Sequence, residues 1–218
     1  MTDHEDVERP RRARMTGAAR REQLVAVGRR AFAAKGVDGI SVEEVAAAAE
    51  VSKPVVYEHF GGKEGLYAVV VDRELRALTE AVTATLTEGG TDRETLERAA
   101  LALLDYIEAS PDGFRILVRD VSGTAPTGTY ASLLSDVAGQ VSHILTEAFV
   151  RRSIEPTHAP MYAQMLVGMM SLTGQWWLET RTPAKEEVAA HVVNLAWNGL
   201  AGLEEPPRLR SRPDNESR

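Results

Sequence analysis

Apolar residues recur at helical spacing along almost the whole chain, and the alternation expected of strands is scarce. Leu24, Val27, Gly28, Ala31 and Phe32 share one face, which predicts a first helix capped by Thr16 and ended by Gly36 in the left-handed conformation. Val42, Val45, Ala46 and Ala49 repeat that stripe behind a capping box made of Ser41 and Glu44. A third, short helix is capped by Ser52, carries Pro54 in its first turn, turns Val56 and Phe60 inward and stops at Gly61-Gly62. Longer amphipathic segments follow. The spacing predicts helices over 63–87, 93–109, 111–121, 130–152, 160–180 and 184–203, with a loop over 122–129. Gly89-Gly90, Pro111, Pro156, Pro160 and Thr182-Pro183 stand at the joints, where they cost a helix least. The chain is therefore expected to be all-α, with about nine helices and no strands. Three short helices would form an N-terminal domain over 16–62, and six longer ones a second bundle over 63–203. The polar ends, 1–15 and 204–218, are expected to be disordered.

Composition narrows the chemistry. The 218 residues are 44% hydrophobic and 26% charged, ordinary values for a globular protein. There is no cysteine, so disulfides and thiolate metal ligands are excluded. No apolar run reaches the roughly 18 residues that span a bilayer, and no signal core opens the chain, so a cytoplasmic protein without a membrane partner is expected. The net charge of −7 hides an asymmetry. Between Arg9 and Lys35 stand nine basic residues and one acid, Glu22, and the remainder is acidic. Such a patch can meet phosphates while the rest of the molecule is repelled by them. Catalytic signatures are missing: no HExxH, no GxSxG and no Walker loop occurs, and the five histidines are dispersed. Neither a metal nor another cofactor is expected.

The segment 41–66, SVEEVAAAAEVSKPVVYEHFGGKEGL, reads as a helix, a four-residue turn from Ala49 to Ser52, and a second short helix. A helix-turn-helix needs that second helix to be short and its outer face to be free of core residues, because it enters a major groove that admits one helix. Lys53, Pro54, Val55, Tyr57, Glu58 and His59 would form that outer face.

This stretch resembles the TetR family of bacterial transcriptional regulators. The resemblance begins at LVAVGRRAFAAKG, runs through ISVEEVAAAAEVSK and is densest at SKPVVYEHFGGKEGL, with Ser52, Tyr57, Phe60, Lys63, Glu64 and Leu66 in register. It implies a DNA-binding regulator, with repression the expected sign, that sits as a homodimer on a palindromic operator of double-stranded DNA and is released by a small-molecule effector. By position, Tyr57, His59 and Lys63 would contact phosphates, and Lys53 would read a base. Pro54 and Val55 would touch thymine methyls, with Ser41 and Ser52 at the two helix starts completing the set. Three residues depart from the family pattern. Gly28 replaces an alanine, Glu50 replaces a turn glycine and is expected at positive φ, and Glu43 stands where some members place a basic DNA contact.

The helix over 160–180 is apolar on two sides. Met161, Met165, Met169, Leu172 and Trp176 form one stripe, and Tyr162, Leu166, Met170, Thr173 and Trp177 the other. Together with Gly168 and with Val188, Val192, Leu195 and Gly199 of the last helix, the first stripe is the expected dimer interface. Tyr106, Phe114, Arg115, Tyr130, Gln140, His143 and Trp176 mix aromatic and polar character in segments that the family uses for its pocket, and are the expected effector contacts. Two alternatives are a helical enzyme or carrier that retains this fold, and a DNA-binding protein with no effector.

Overall fold

The computed structural model describes residues 15–119 and 128–204. Both expected disordered ends, apart from Met15 and Glu204, and most of the loop at 122–129 lie outside the described residues. Nine α-helices and no strand occur among those residues: α1 (Gly17–Lys35), α2 (Val42–Ala48), α3 (Lys53–Phe60), α4 (Lys63–Thr87), α5 (Asp92–Ala109), α6 (Pro111–Arg119), α7 (Tyr130–Arg151), α8 (Ala159–Thr180) and α9 (Lys185–Ala201). A 3-10 turn, Pro156–His158, joins α7 to α8 at the expected proline break. The chain divides into two compact units, one ending at Tyr67 and one beginning at Ala68.

The N-terminal unit is built on its caps and one small apolar cluster. Thr16 accepts from the Ala19 amide at the start of α1. Ser41 and Glu44 form the reciprocal capping box of α2. Ser52 occupies the extended N-cap position of α3, but its side chain makes no capping hydrogen bond. Leu24, Val27, Val42, Ala46, Ala49 and Val56 form the core, with Val51, Val55 and Phe60 packed against it. Glu50 takes φ 53 in the turn, as its position implied. Gln23 Nε2 donates to the Ala49 carbonyl at 3.0 Å and so occupies an acceptor that the end of α2 leaves open. This unit runs past residue 62 because Leu66 and Tyr67 pack on α1. A Cβ on Gly28 would lie 2.9 Å from Leu66 Cδ2, so a glycine there permits that approach. Tyr67 meets Phe32 edge-on at 5.2 Å.

The C-terminal unit is a helical bundle in which α7 packs on α8 and α5 on α9. Capping boxes open α5 (Thr91 with Glu94) and α7 (Thr129 with Ser132). Gly174 brings α8 against α5, where its Cβ would come within 2.9 Å of Ile107 Cδ1. Lys185 is clasped by Asp105 at 2.7 Å and Glu108 at 2.5 Å, which ties the start of α9 to α5. Arg181, left-handed at φ 56, stacks on Trp177 at 4.8 Å and donates to the Ile107 carbonyl. No described helix is long and apolar enough to cross a membrane.

The α2 capping box sets a pH dependence. Its Glu44 carboxyl is lowered from 4.5 to about 2, first by the hydrogen bond from Lys35 and then by the Ser41 amide. A carboxylate held below its ordinary value stabilises the fold fully above that ordinary value, and the contribution is lost as pH falls toward the depressed one. Glu44→Gln should therefore melt below the wild type at neutral pH, and the gap should close between about pH 4.5 and about pH 2. Thermal denaturation across that range is the check, and a gap independent of pH would contradict it.

Candidate nucleic-acid interface and effector cavity

Helix α3 is positioned from inside. Val56 is completely buried in the core and fixes the inner face of α3, whereas Lys53, Pro54 and Tyr57 are exposed, Tyr57 to 47%. The C-terminal end of α3 is clamped from α1: Arg21 lies over the Phe60 ring at 4.3 Å and donates to the His59 carbonyl at 2.7 Å. Arg21 thus serves the fold, and Arg20 is engaged by Gln23 at 2.7 Å.

The individual DNA candidates fare differently. Tyr57 projects freely, with the Lys53 ammonium 5.8 Å from its ring centroid. Lys53 forms an ion pair at 2.5 Å with Glu43. That hydrogen bond lowers the Glu43 carboxyl and raises the Lys53 ammonium from their ordinary values. Val55 is half-buried against the core rather than fully presented, because the short α3 needs more than one apolar anchor. His59 is half-buried and tilted against Phe60. Ser41 is exposed, with its hydroxyl engaged in the capping box. Lys63 turns inward: its ammonium donates to the carbonyls of Val37 and Ile40, both at 2.9 Å. Two of its three protons thus close the α1–α2 connection, a role invisible in spacing because the acceptors are main-chain atoms of a distant loop.

The C-terminal unit holds a cavity of about 330 Å³ lined from α4, α5, α7, α8 and α9. Leu78, Val82, Leu96, Val141, Ile144 and Leu166 typify its wall. Tyr130 is the one expected effector contact that lines it. Phe114 is buried behind Tyr130, edge-on at 5.7 Å. Tyr106 follows at 6.4 Å from Phe114 and donates to Glu74 Oε2 at 2.8 Å. Ser110 donates to the same carboxylate oxygen, and a Cβ on Gly113 would fall on it, so Glu74 is enclosed by α5 and the start of α6. Arg115 pairs with Asp112 and Glu179. Gln140 and His143 are exposed on α7, with His143 beside Glu147. Trp176 is half exposed. Mixed aromatic and polar character does not mark the cavity wall, which is mostly aliphatic. Helical apolar spacing marks part of that wall in the sequence, as the run Leu133, Val137, Val141, Ile144 and Ala148 along α7 and as Leu166 and Met170 of the second α8 stripe.

Met161, Met165, Leu172 and Trp176 of α8 and Leu195 of α9 are large apolar side chains left exposed, Leu172 and Leu195 to 67%. Met169 is half-buried, and Gly168 and Gly199 face open space. Val188 and Val192 are buried within the chain, where α9 packs on α5, so they are not part of this exposed face. Among the described residues no cluster of histidine and carboxylate side chains is placed to hold a metal.

A short helix that buries Val56 and presents lysine, proline and tyrosine outward, after a capped helix and a tight turn, is the arrangement of a helix-turn-helix. The family model for the tetR family of bacterial regulatory proteins matches residues 24–70, and that for the tetracyclin repressor-like C-terminal domain matches residues 78–210. The chain belongs to the TetR family of DNA-binding transcriptional regulators. It is 31% identical over 192 residues to the HTH-type transcriptional activator FasR of Mycolicibacterium smegmatis (strain ATCC 700084 / mc(2)155), covering 84% of this chain and 83% of that protein. A TetR-like regulator from Rhodococcus sp. RHA1 superposes with a TM-score of 0.74 at 25% identity, over 87% of this chain and all of that one (100%). PfmR from Thermus thermophilus shares the fold at 23% identity, with a TM-score of 0.66 over 88% of this chain and 99% of that one.

Both partners of the Glu43–Lys53 pair are exposed, so the pair contributes little to stability, but it engages the Lys53 ammonium and keeps a negative charge beside the outer face of α3. Glu43→Gln should tighten binding to every duplex, because it removes a negative charge and frees the Lys53 ammonium. Fluorescence anisotropy with operator and random duplexes at two salt concentrations measures this. Unchanged affinity would mean that the pair does not compete with DNA.

Proposed function

We propose that the protein is a homodimer that binds a two-fold-symmetric operator through α3 and releases it when a small molecule occupies the cavity of the C-terminal unit. The observation that carries this reading is the division of α3 between a buried Val56 and an exposed Lys53, Pro54 and Tyr57. Lys53, once freed from Glu43, reaches guanine O6 or N7. Tyr57 and His59 meet phosphates, Pro54 and the exposed part of Val55 meet thymine methyls, and Ser41 and Ser52 lie at the margins of the contact. Of the Lys63 ammonium one proton is left for a phosphate.

The dimer rests on the face of Met161, Met165, Met169, Leu172, Trp176 and Leu195. Contiguous exposed apolar side chains of this size mark an interaction surface. Gly168 and Gly199, with nothing near their missing Cβ atoms, let a partner helix approach closely. Effector action runs from the cavity to α4 through Tyr130, Phe114, Tyr106 and Glu74, rings and a carboxylate in continuous contact. Glu74 lies on the helix that Lys63 begins. A coupling of about 1–3 kcal/mol along this route changes DNA affinity roughly 5–150-fold. FasR carries the name of an activator, so repression is not carried over as the sign. The same ligand-controlled occupancy represses where the operator overlaps a promoter and activates where it lies beside one. The role is one of binding without catalysis, and DNA as the partner places it in the cytoplasm.

Selection from random duplex DNA should recover an inverted repeat with half-sites one helical turn apart, about 34–36 Å, or a multiple of it. Recovery of sites with no two-fold pattern would refute the dimeric reading. The double variant Leu172→Asp, Leu195→Asp should sediment as a folded monomer and lose operator affinity, because both side chains are exposed in the single chain and contribute little to its own core. A wild type that sediments as a monomer under the same conditions would remove the interface from the proposal.

A further inference from the structure

The start of α1 lies beside the end of α3. Arg21 donates to the His59 carbonyl at 2.7 Å and covers the Phe60 ring at 4.3 Å, and Gln23 donates to the Ala49 carbonyl at 3.0 Å. Gly17, the first residue of α1, is about 6 Å of helix ahead of Arg21. The chain therefore enters α1 close to the end of α3 that carries Tyr57 and His59, the phosphate contacts of the proposed complex. Met15 to Ala19 are exposed there. Gly17, Ala18 and Ala19 have no side chain beyond a methyl, and the first turn of α1 holds no acid to offset the positive end of the helix. A phosphate backbone can come close to this end.

In the sequence, this point is preceded by Arg9-Pro10-Arg11-Arg12-Ala13-Arg14, four arginines in six residues with no acid among them. Pro10 fixes its own φ and biases Arg9 to extended backbone, which sets this segment apart from the helix that follows. Ahead of Arg9 stand Asp3, Glu5, Asp6 and Glu8, which phosphates repel, so a DNA-binding element is confined to 9–14. The phosphate strand that Tyr57 and His59 would meet is the wall between the major groove and a minor groove. Six residues of extended chain reach about 20 Å, and the minor groove is about 6 Å wide. The segment is long enough to cross that strand and run along the groove. A guanidinium is flat, weakly hydrated and always charged, and the negative potential it meets is strongest where A·T pairs narrow the minor groove.

We propose that residues 9–14 are a second DNA-binding element, laid in the minor groove beside the major groove that α3 enters, and selective for A·T pairs there. Helix α3 reads the half-site, and the arginines read the base pairs that flank it. This rests on the reading of α3 as the major-groove helix.

The test is fluorescence anisotropy with the full chain and the operator recovered by selection, in three versions that differ only in the base pairs flanking each half-site: A·T, G·C and inosine·C. Inosine·C keeps the major-groove face of G·C but lacks the N2 amino group, so its minor groove resembles that of A·T. The wild type should bind the A·T and inosine·C versions more tightly than the G·C version, by roughly fivefold or more, the lower end of what one wrong base pair costs. The variant Arg9→Ala, Arg11→Ala, Arg12→Ala, Arg14→Ala should bind all three alike, no more tightly than the wild type binds the G·C version, with a shallower dependence on salt. Hydroxyl-radical footprinting of the wild type, which needs no variant, should show protected sugars along the minor groove outside each half-site. Equal wild-type affinity for the three versions, an unchanged flank preference in the alanine variant, or a footprint confined to the half-sites would overturn the proposal. A loss of affinity in that variant of the same size on all three versions would also overturn it, because it marks phosphate contact without reading of the groove. Specific operator binding that ignores the flanks defeats the second element alone. A wild type that binds no duplex specifically defeats the reading of α3 and the proposal with it.

Discussion

An eight-residue helix has almost no stability of its own in water, because nucleation consumes most of what so few hydrogen bonds return. Helix α3 persists because Val56 is sunk in the cluster of α1 and α2, a burial worth about 1.5–3 kcal/mol, and because Arg21 grips its far end through the Phe60 ring and the His59 carbonyl. The rest of the outer surface of α3 depends on that anchor. With the inner face pinned at Val56 and Phe60, the outer face is left to Lys53, Pro54 and Tyr57. The same shortness draws Val55 partly into the core and leaves His59 half covered.

Charge in the N-terminal unit is used inwardly as much as outwardly. The basic segment that suggests phosphate binding supplies Arg21 to a ring and a carbonyl, Arg20 to Gln23, and Lys35 to Glu44. Lys63, farther along, supplies two carbonyls. A guanidinium or ammonium with several donors is well suited to close a loop whose carbonyls lack partners, since an unpaired buried acceptor costs more than a typical hydrogen bond gains. Lys53 differs from these in being exposed and bound only to another exposed side chain, which water or DNA can displace.

The C-terminal unit separates its polar and apolar work. Aliphatic side chains make most of the cavity wall, into which Tyr130 and Ser171 bring one mutually bonded pair of hydroxyls, while Tyr106 and Ser110 converge on Glu74 outside that wall. Outside, α8 leaves Met161, Met165, Leu172 and Trp176 exposed. Its inner side places Leu166 and Met170 on the cavity and Trp177 in the interior. A helix of this kind is apolar on two sides, of which the inner one packs within its own unit.

Local chemistry made the helices legible from the sequence. Ser41 with Glu44, Thr16, Gly36, and the prolines and glycines at the joints act within a few residues of themselves, so element positions, the helix-turn-helix and the positive φ of Glu50 could be read from spacing and family resemblance. The double apolar stripe of α8 was legible for the same reason, since helical period alone assigns residues to faces. What those faces meet is a matter of contacts across long sequence separations, and only the tertiary structure decided it. Lys63 reaches Val37 and Ile40, Lys53 meets Glu43, Val188 and Val192 are buried where α9 meets α5, and Gly174 faces Ile107 rather than open space. The cavity belongs to this second kind. A leucine that lines a void and one that fills a core carry the same signal in the sequence, and they differ only in whether packing has left space beside them.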